Sequence, residues 1–203
     1  CINNETEIVL DRVLLSVPAT QILAGLGTGT INEQAQQLNR SMDAMERMVD
    51  LFYQHKGLGT YTQEQKNNPD FMAAYGNKNN LPVTRLNIRY MRMFSGAFMY
   101  AGGKHIGIEF GSVGGLSASP SLVSEENGKW SGGRFFGWGI AHEIGHEINQ
   151  GQYAIAEITN NYFSVLSQAH DTNDSVRFQY KDVYEKVTSG TTGRAANVFT
   201  ALG

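Results

Sequence analysis

The sequence predicts an α+β fold, a small mixed or antiparallel sheet with helical segments before and after it. Three observations carry this reading. Apolar residues recur every three or four positions between Ile31 and His55, alternate after Pro82, and return to helical spacing from Phe135. The 203 residues suit one domain with a substantial core, 1–203, made of a helical N-terminal part (1–80), a β-rich part (81–125) and a second helical part (134–203).

In the first part Ala35, Leu38, Met42, Met45, Met48, Val49 and Phe52 fall on one face of a helix, which Gly57 and Gly59 end. The preceding LAGLGTGT lacks the lysine of a phosphate-binding loop and reads as a turn. Gln63 to Tyr75 reads as a short helix interrupted by Pro69, and NKNN at 77–80 as a loop. In the β-rich part VTRLNIRYMRM alternates, and FMYAGG and HIGIEFGS form a hairpin or meander. The glycine- and serine-rich GSVGGLSASPSLVSEENGKWSGG reads as a loop. Helical patterns follow over 135–150, 153–170 and 175–188, with NVFTALG starting another.

Composition narrows the function. A formal net charge of −3 without Lys/Arg runs gives no footprint for nucleic acid or for an anionic membrane surface. No apolar run approaches the ~18 residues of a membrane span, and no signal-peptide pattern opens the chain. Cys1 is the only cysteine, so a metal would be held by His, Asp or Glu.

The stretch GIAHEIGHEINQ contains such a set. His142 and His146 stand one helical turn apart on one face, so both imidazoles can reach a single ion, and Glu143 can reach a water on it. Zinc suits two imidazoles with an open position for water, and a carboxylate that takes the water's proton completes a peptide-hydrolysing centre. A match to this five-residue pattern arises by chance in about one such chain per hundred. The competing reading is a buried helix whose histidines are merely hydrogen-bonded.

A catalytic zinc usually has a third protein ligand. The metzincin pattern would put Gly and His where Asn149 and Gln152 stand, so a glutamate from the next helix, as in gluzincins, is the alternative. Glu157, after the Gly151 turn, fits. Its rivals are Glu147, which points off the ligand face, Glu125 and Glu126 in a loop, and Asp171 and Asp174 at a helix end. Asn160 and Asn161 are either ligand-orienting or substrate-touching residues or a polar helix surface. His55, His105 and His170 read as bystanders, with His105 the most open because its strand could border the cleft.

The run FGWGIAHEIGHEINQ, then AEITNNYFSVL, resembles the enhancin-like gluzincin peptidases, and FMYAGGKHIGIEFG is similar to the strand pair before their active-site helix. The resemblance covers residues 80–170 well and the first 80 loosely. It implies a zincin catalytic domain with the sheet, an active-site helix and a glutamate-bearing helix, with His142, His146 and Glu157 as zinc ligands and Glu143 as base. It also implies secreted or surface-attached bacterial enzymes that cut mucins and other O-glycosylated proteins beside a glycosylated Ser or Thr. Trp130, Arg134 and Trp138 become the candidate glycan contacts, by ring stacking or carboxylate binding, with packing as the alternative for each. The strand at 105–111 or its neighbour would bind peptide by strand addition. Family members continue into a further helical subdomain that supplies an oxyanion donor, so this chain is expected to stop short of it. A peptidase without a glycan requirement and a glycan-binding module with a vestigial metal site are the other readings.

Overall fold

A computed structural model of the protein describes residues 2–59, 61–76, 78–93, 96–117, 138–149, 151–152 and 154–170. Five strands form one sheet in the order β1 (Glu5–Val9), β2 (Val13–Pro18), β3 (Leu86–Tyr90), β5 (His105–Ile108), β4 (Met99–Gly102). The β2–β3 and β3–β5 pairs are parallel, and the outer pairs β1–β2 and β4–β5 antiparallel. Six α-helices accompany them among the described residues: α1 (Ala19–Leu26), α2 (Ile31–His55), α3 (Gln63–Asn67), α4 (Pro69–Tyr75), α5 (Ile140–Ile148) and α6 (Asn161–His170).

The sheet begins earlier than the sequence reading placed it. Residues 5–18, expected within a helical N-terminal part, form the β1–β2 hairpin. Alternation in VLLSVP buries Val13, Leu15 and Val17 and leaves Leu14 and Ser16 half-exposed, which suits a strand and not a helix. The hairpin turn is fastened to α2, where the Arg12 N–H donates to both Glu46 carboxylate oxygens at 2.9 and 3.0 Å and Arg12 Nε donates to Asp50 Oδ1 at 2.8 Å.

Helix α2 spans the predicted range. Thr30 and Glu33 close a capping box at its start, Glu33 N–H donating to Thr30 Oγ1 and Thr30 N–H to Glu33 Oε2. Its apolar face puts Met42, Met45, Met48, Val49 and Phe52 into one core with Leu15, Ile88, Ile106 and Ile108 of the sheet and Ile140 and Ile144 of α5. The Phe52 ring lies 5.0 Å from that of Phe163, tying α2 to α6. Pro69 separates α3 from α4, and Asn68 caps the second, its Oδ1 accepting from Phe71 N–H at 3.0 Å.

Within the stretch expected to be loop, residues Phe110–Leu116 wind into a 3-10 helix, started by Glu109, whose carboxylate accepts from Gly111 N–H at 2.8 Å. The predicted helix over 175–188 and the NVFTALG segment lie outside the described residues.

Candidate metal centre

Helix α5 buries Ile140, Ala141, Ile144, Gly145 and Ile148 and turns His142, Glu143 and His146 to its half-buried side. The two imidazole rings sit 5.0 Å apart, one turn along the helix. The helix lies beside β4, the edge strand. In the two-residue β4–β5 hairpin, Gly102 and His105 flank the turn, so Ala101 directs its N–H and C=O outward. That N–H faces the Glu143 carboxylate and favours its charged form. Burial pushes the Glu143 carboxyl above its ordinary value, with the two histidines and the Ala101 N–H acting against it.

Glu157 reaches the histidines from the far side. Its Oε2 lies 3.0 Å from His142 Nε2 and its Oε1 3.1 Å from His146 Nε2. It does so from a turn, whereas the sequence predicted a helix from Tyr153 onward. Helix α6 starts at Asn161, and Glu157 has φ 62, the left-handed region that costs a non-glycine residue roughly 1–2 kcal/mol. The local reason is Thr159, whose hydroxyl oxygen accepts from Ile155 N–H at 3.1 Å and from Asn149 Nδ2 at 3.3 Å, competing with the helical pattern.

The two asparagines that follow belong to the centre. Asn161 Nδ2 donates to the Glu157 carbonyl at 2.7 Å, which orients the amide and leaves its Oδ1 to accept from His142 Nδ1 at 2.7 Å. His142 therefore carries its proton on Nδ1 and offers the Nε2 lone pair to the centre. Asn160 is fully buried, with Nδ2 at 3.0 and 2.9 Å from His142 Nε2 and His146 Nε2, and its Oδ1 has no hydrogen-bond partner. Gly145 makes room for it, since a Cβ there would meet Asn160 O at 2.7 Å.

This donor set fits a metal ion. The ligand atoms of His142, His146 and Glu157 lie within 4.8 Å of one another, the group of this kind found among the described residues. Ligands on a tetrahedral ion at ~2.0 Å stand about 3.3 Å apart, close to the separations observed between Glu157 and each histidine. Glu147, the rival on the same helix, is not in the group and lines a different cavity.

The other predicted residues are distributed differently. His105 stands on the opposite face of the sheet from Ile106 and Ile108, which enter the core, and its Nε2 accepts from Tyr100 OH at 2.7 Å and from Arg89 Nη2 at 3.1 Å. The strand bordering α5 is its neighbour β4. Trp138, half-buried just before α5, presents its carbonyl to Ser164 Oγ at 3.2 Å. Trp130, Arg134, Glu125, Glu126, Asp171 and Asp174 lie outside the described residues. The Ala101 N–H was missed by residue-type reasoning, because a backbone donor leaves no mark on the sequence.

A histidine pair and a following glutamate converging beside the edge of a mixed sheet define a metallopeptidase catalytic fold. The chain belongs to the family Peptidase M60, enhancin and enhancin-like, whose model matches residues 3–201. No curated protein sequence matches it. Among solved structures, it is similar to the catalytic module of the metalloprotease ZmpA from Clostridium perfringens, with TM-score 0.54, 17% identity, 81% of this chain covered and 26% of that one. It is also similar to the M60 catalytic domain of Clostridium perfringens ZmpC in complex with the sialyl T antigen, with TM-score 0.52, 20% identity, and 82% and 26% covered. A Bacillus anthracis conserved protein of unknown function gives TM-score 0.59, 15% identity, and 91% and 32% covered. The chain thus spans about a quarter to a third of the length of these structures, and the likenesses establish the fold.

Proposed function

We propose that this chain is the zinc-binding part of an endopeptidase that hydrolyses O-glycosylated, mucin-type proteins beside a glycosylated Ser or Thr, acting outside the cell or at its surface. The observation that carries the peptidase reading is the convergence of His142, His146 and Glu157 next to a carboxylate, Glu143, that faces the edge strand. Two imidazoles and a carboxylate with room for water are a zinc donor set.

Zinc, when bound, supplies Lewis acidity that polarises a carbonyl and brings the pKa of a water towards neutrality. Glu143 accepts the proton of the attacking water at its carboxylate and delivers it to the departing amine nitrogen. Ala101 N–H faces that carboxylate, and Ala101 C=O is turned outward, in position to accept a backbone N–H from a substrate strand laid along β4. Asn161 keeps the His142 proton on Nδ1 throughout.

The glycan part of this reading is supported by the similar ZmpC catalytic domain, whose structure is a complex with the sialyl T antigen. Trp138, with Trp130 and Arg134, is the proposed sugar-contacting set. No described helix is long and apolar enough to cross a membrane.

Glu143→Ala should abolish cleavage while metal analysis still finds about one zinc per chain. Retained cleavage would overturn the role of Glu143. Matched peptides with and without an O-linked sugar test the specificity, and equal cleavage of both would leave a peptidase with no glycan requirement.

A further inference from the structure

Beyond the metal centre, where α2 and α5 end, lies a second cavity of about 330 Å³. Its lining carries Lys56, Arg85 and Lys104 against a single carboxylate, Glu147, with Tyr53 and Ile106 as its apolar part. Two of these cations are held in place. Lys56 Nζ donates to Ile148 O at 2.5 Å, and Arg85 Nε donates to the Leu10 carbonyl. Lys56 is half-buried, and burial lowers its proton affinity, while Arg85 and Lys104 are exposed at the cavity's rim.

Lys104 supplies an independent observation. It occupies the second position of the two-residue turn between β4 and β5 with φ 65, where glycine is the unstrained choice. Nothing in the turn calls for a lysine, whereas the cavity places its side chain with two other cations.

The cavity is reached from the turn that follows β4 and from the helix face that carries Glu143. Ala101, which faces Glu143 from β4, lies three residues before Lys104 in the following turn, and Glu147 lies one turn beyond Glu143 on the same face of α5. An extended substrate beside β4 advances ~3.3 Å per residue, so it meets the cavity two or three residues from the scissile bond.

We infer that this cavity is a substrate subsite for an acidic residue two or three positions from the scissile bond, its carboxylate taken by Lys104 together with Lys56 and Arg85. The inference rests on the peptidase reading above and specifies its substrate. The full-length protein is tested with peptide pairs that carry Glu or Gln at each of three positions on either side of the cut. One position should show about five- to tenfold lower KM for Glu, with kcat little changed. Lys104→Gly removes the charge and the backbone strain together, so it should erase that preference while the melting temperature holds or rises. Binding of the same peptides to the Glu143→Ala protein gives the same comparison where turnover is slow. Equal KM and equal binding for every Glu/Gln pair would overturn the subsite, as would a preference that survives Lys104→Gly and Arg85→Gln. Failure of the peptidase reading looks different, with cleavage that persists in Glu143→Ala.

Discussion

Asn161 Oδ1 stands 2.7 Å from His142 Nδ1 while the same amide donates to the carbonyl of Glu157. One side chain therefore ties the two halves of the centre together and sets which nitrogen of His142 is free for metal. Outer-shell partners of this kind are commonly worth 10–100-fold in metal affinity. Asn161→Ala is expected to weaken zinc binding by about tenfold or more in a chelator competition titration. Unchanged affinity would show that His142 is oriented by its packing alone.

Glu157 holds its carboxylate at the centre from a left-handed backbone. Glu157→Gly should relieve roughly 1 kcal/mol of strain and Glu157→Ala should not, since the penalty belongs to the Cβ. In metal-free protein the glycine variant should therefore melt above the alanine variant and at or above the parent. Neither variant should gain stability on adding zinc. Identical melting of the two would remove the strain argument.

Gly145 sits inside α5, where replacement of an exposed glycine by alanine ordinarily stabilises by up to ~1 kcal/mol. Here the added methyl would meet Asn160 O at 2.7 Å, so Gly145→Ala should destabilise instead, by about 1–3 kcal/mol, and should lower zinc affinity as the Asn160 segment is pushed away. The sign of the change in denaturant midpoint decides the matter.

Removal of metal should also be visible in stability. With zinc at about 100 times its dissociation constant, linkage gives ~2.7 kcal/mol, so chelation should lower the melting temperature by several degrees. The Glu157→Ala protein should not respond to chelator.

Phe52 joins α2 to α6 through Phe163 and is fully buried. Phe52→Ala should cost about 3–5 kcal/mol of stability, measured by urea unfolding, without touching a ligand directly. A loss below 1 kcal/mol would mean that α6 is placed by the metal centre and not by this contact.

What was legible in the sequence follows from which interactions are local. The α2 range was readable because a 25-residue amphipathic stripe and the glycines that end it, Gly57 and Gly59, are written next to one another in the chain. The histidine pair and Glu143 were readable for the same reason, since helical spacing alone puts them together. The β1–β2 hairpin was not. Its strands are five and six residues long, and its turn is fastened by Glu46 and Asp50, more than 30 positions away. Glu157 was found as a residue but misplaced as an element, because the helical pattern of the following residues extends over it while Thr159 bonds to Ile155 and breaks the spiral. Asn160 and Asn161 were noticed as neighbours of Glu157. Their separate tasks depend on which amide atom faces which ring, and residue spacing does not specify that.

The outward-facing N–H of Ala101 brings the Glu143 carboxylate to the same backbone unit whose carbonyl faces out from β4. A shift of β4 by a fraction of an ångström moves both at once. In the peptidase reading, a substrate that seats poorly on the strand also drags the base out of line, so the enzyme registers bad backbone pairing as slow turnover as well as weak binding. Fidelity towards extended, unfolded stretches of polypeptide is then built into the strand itself, without any side chain dedicated to checking it.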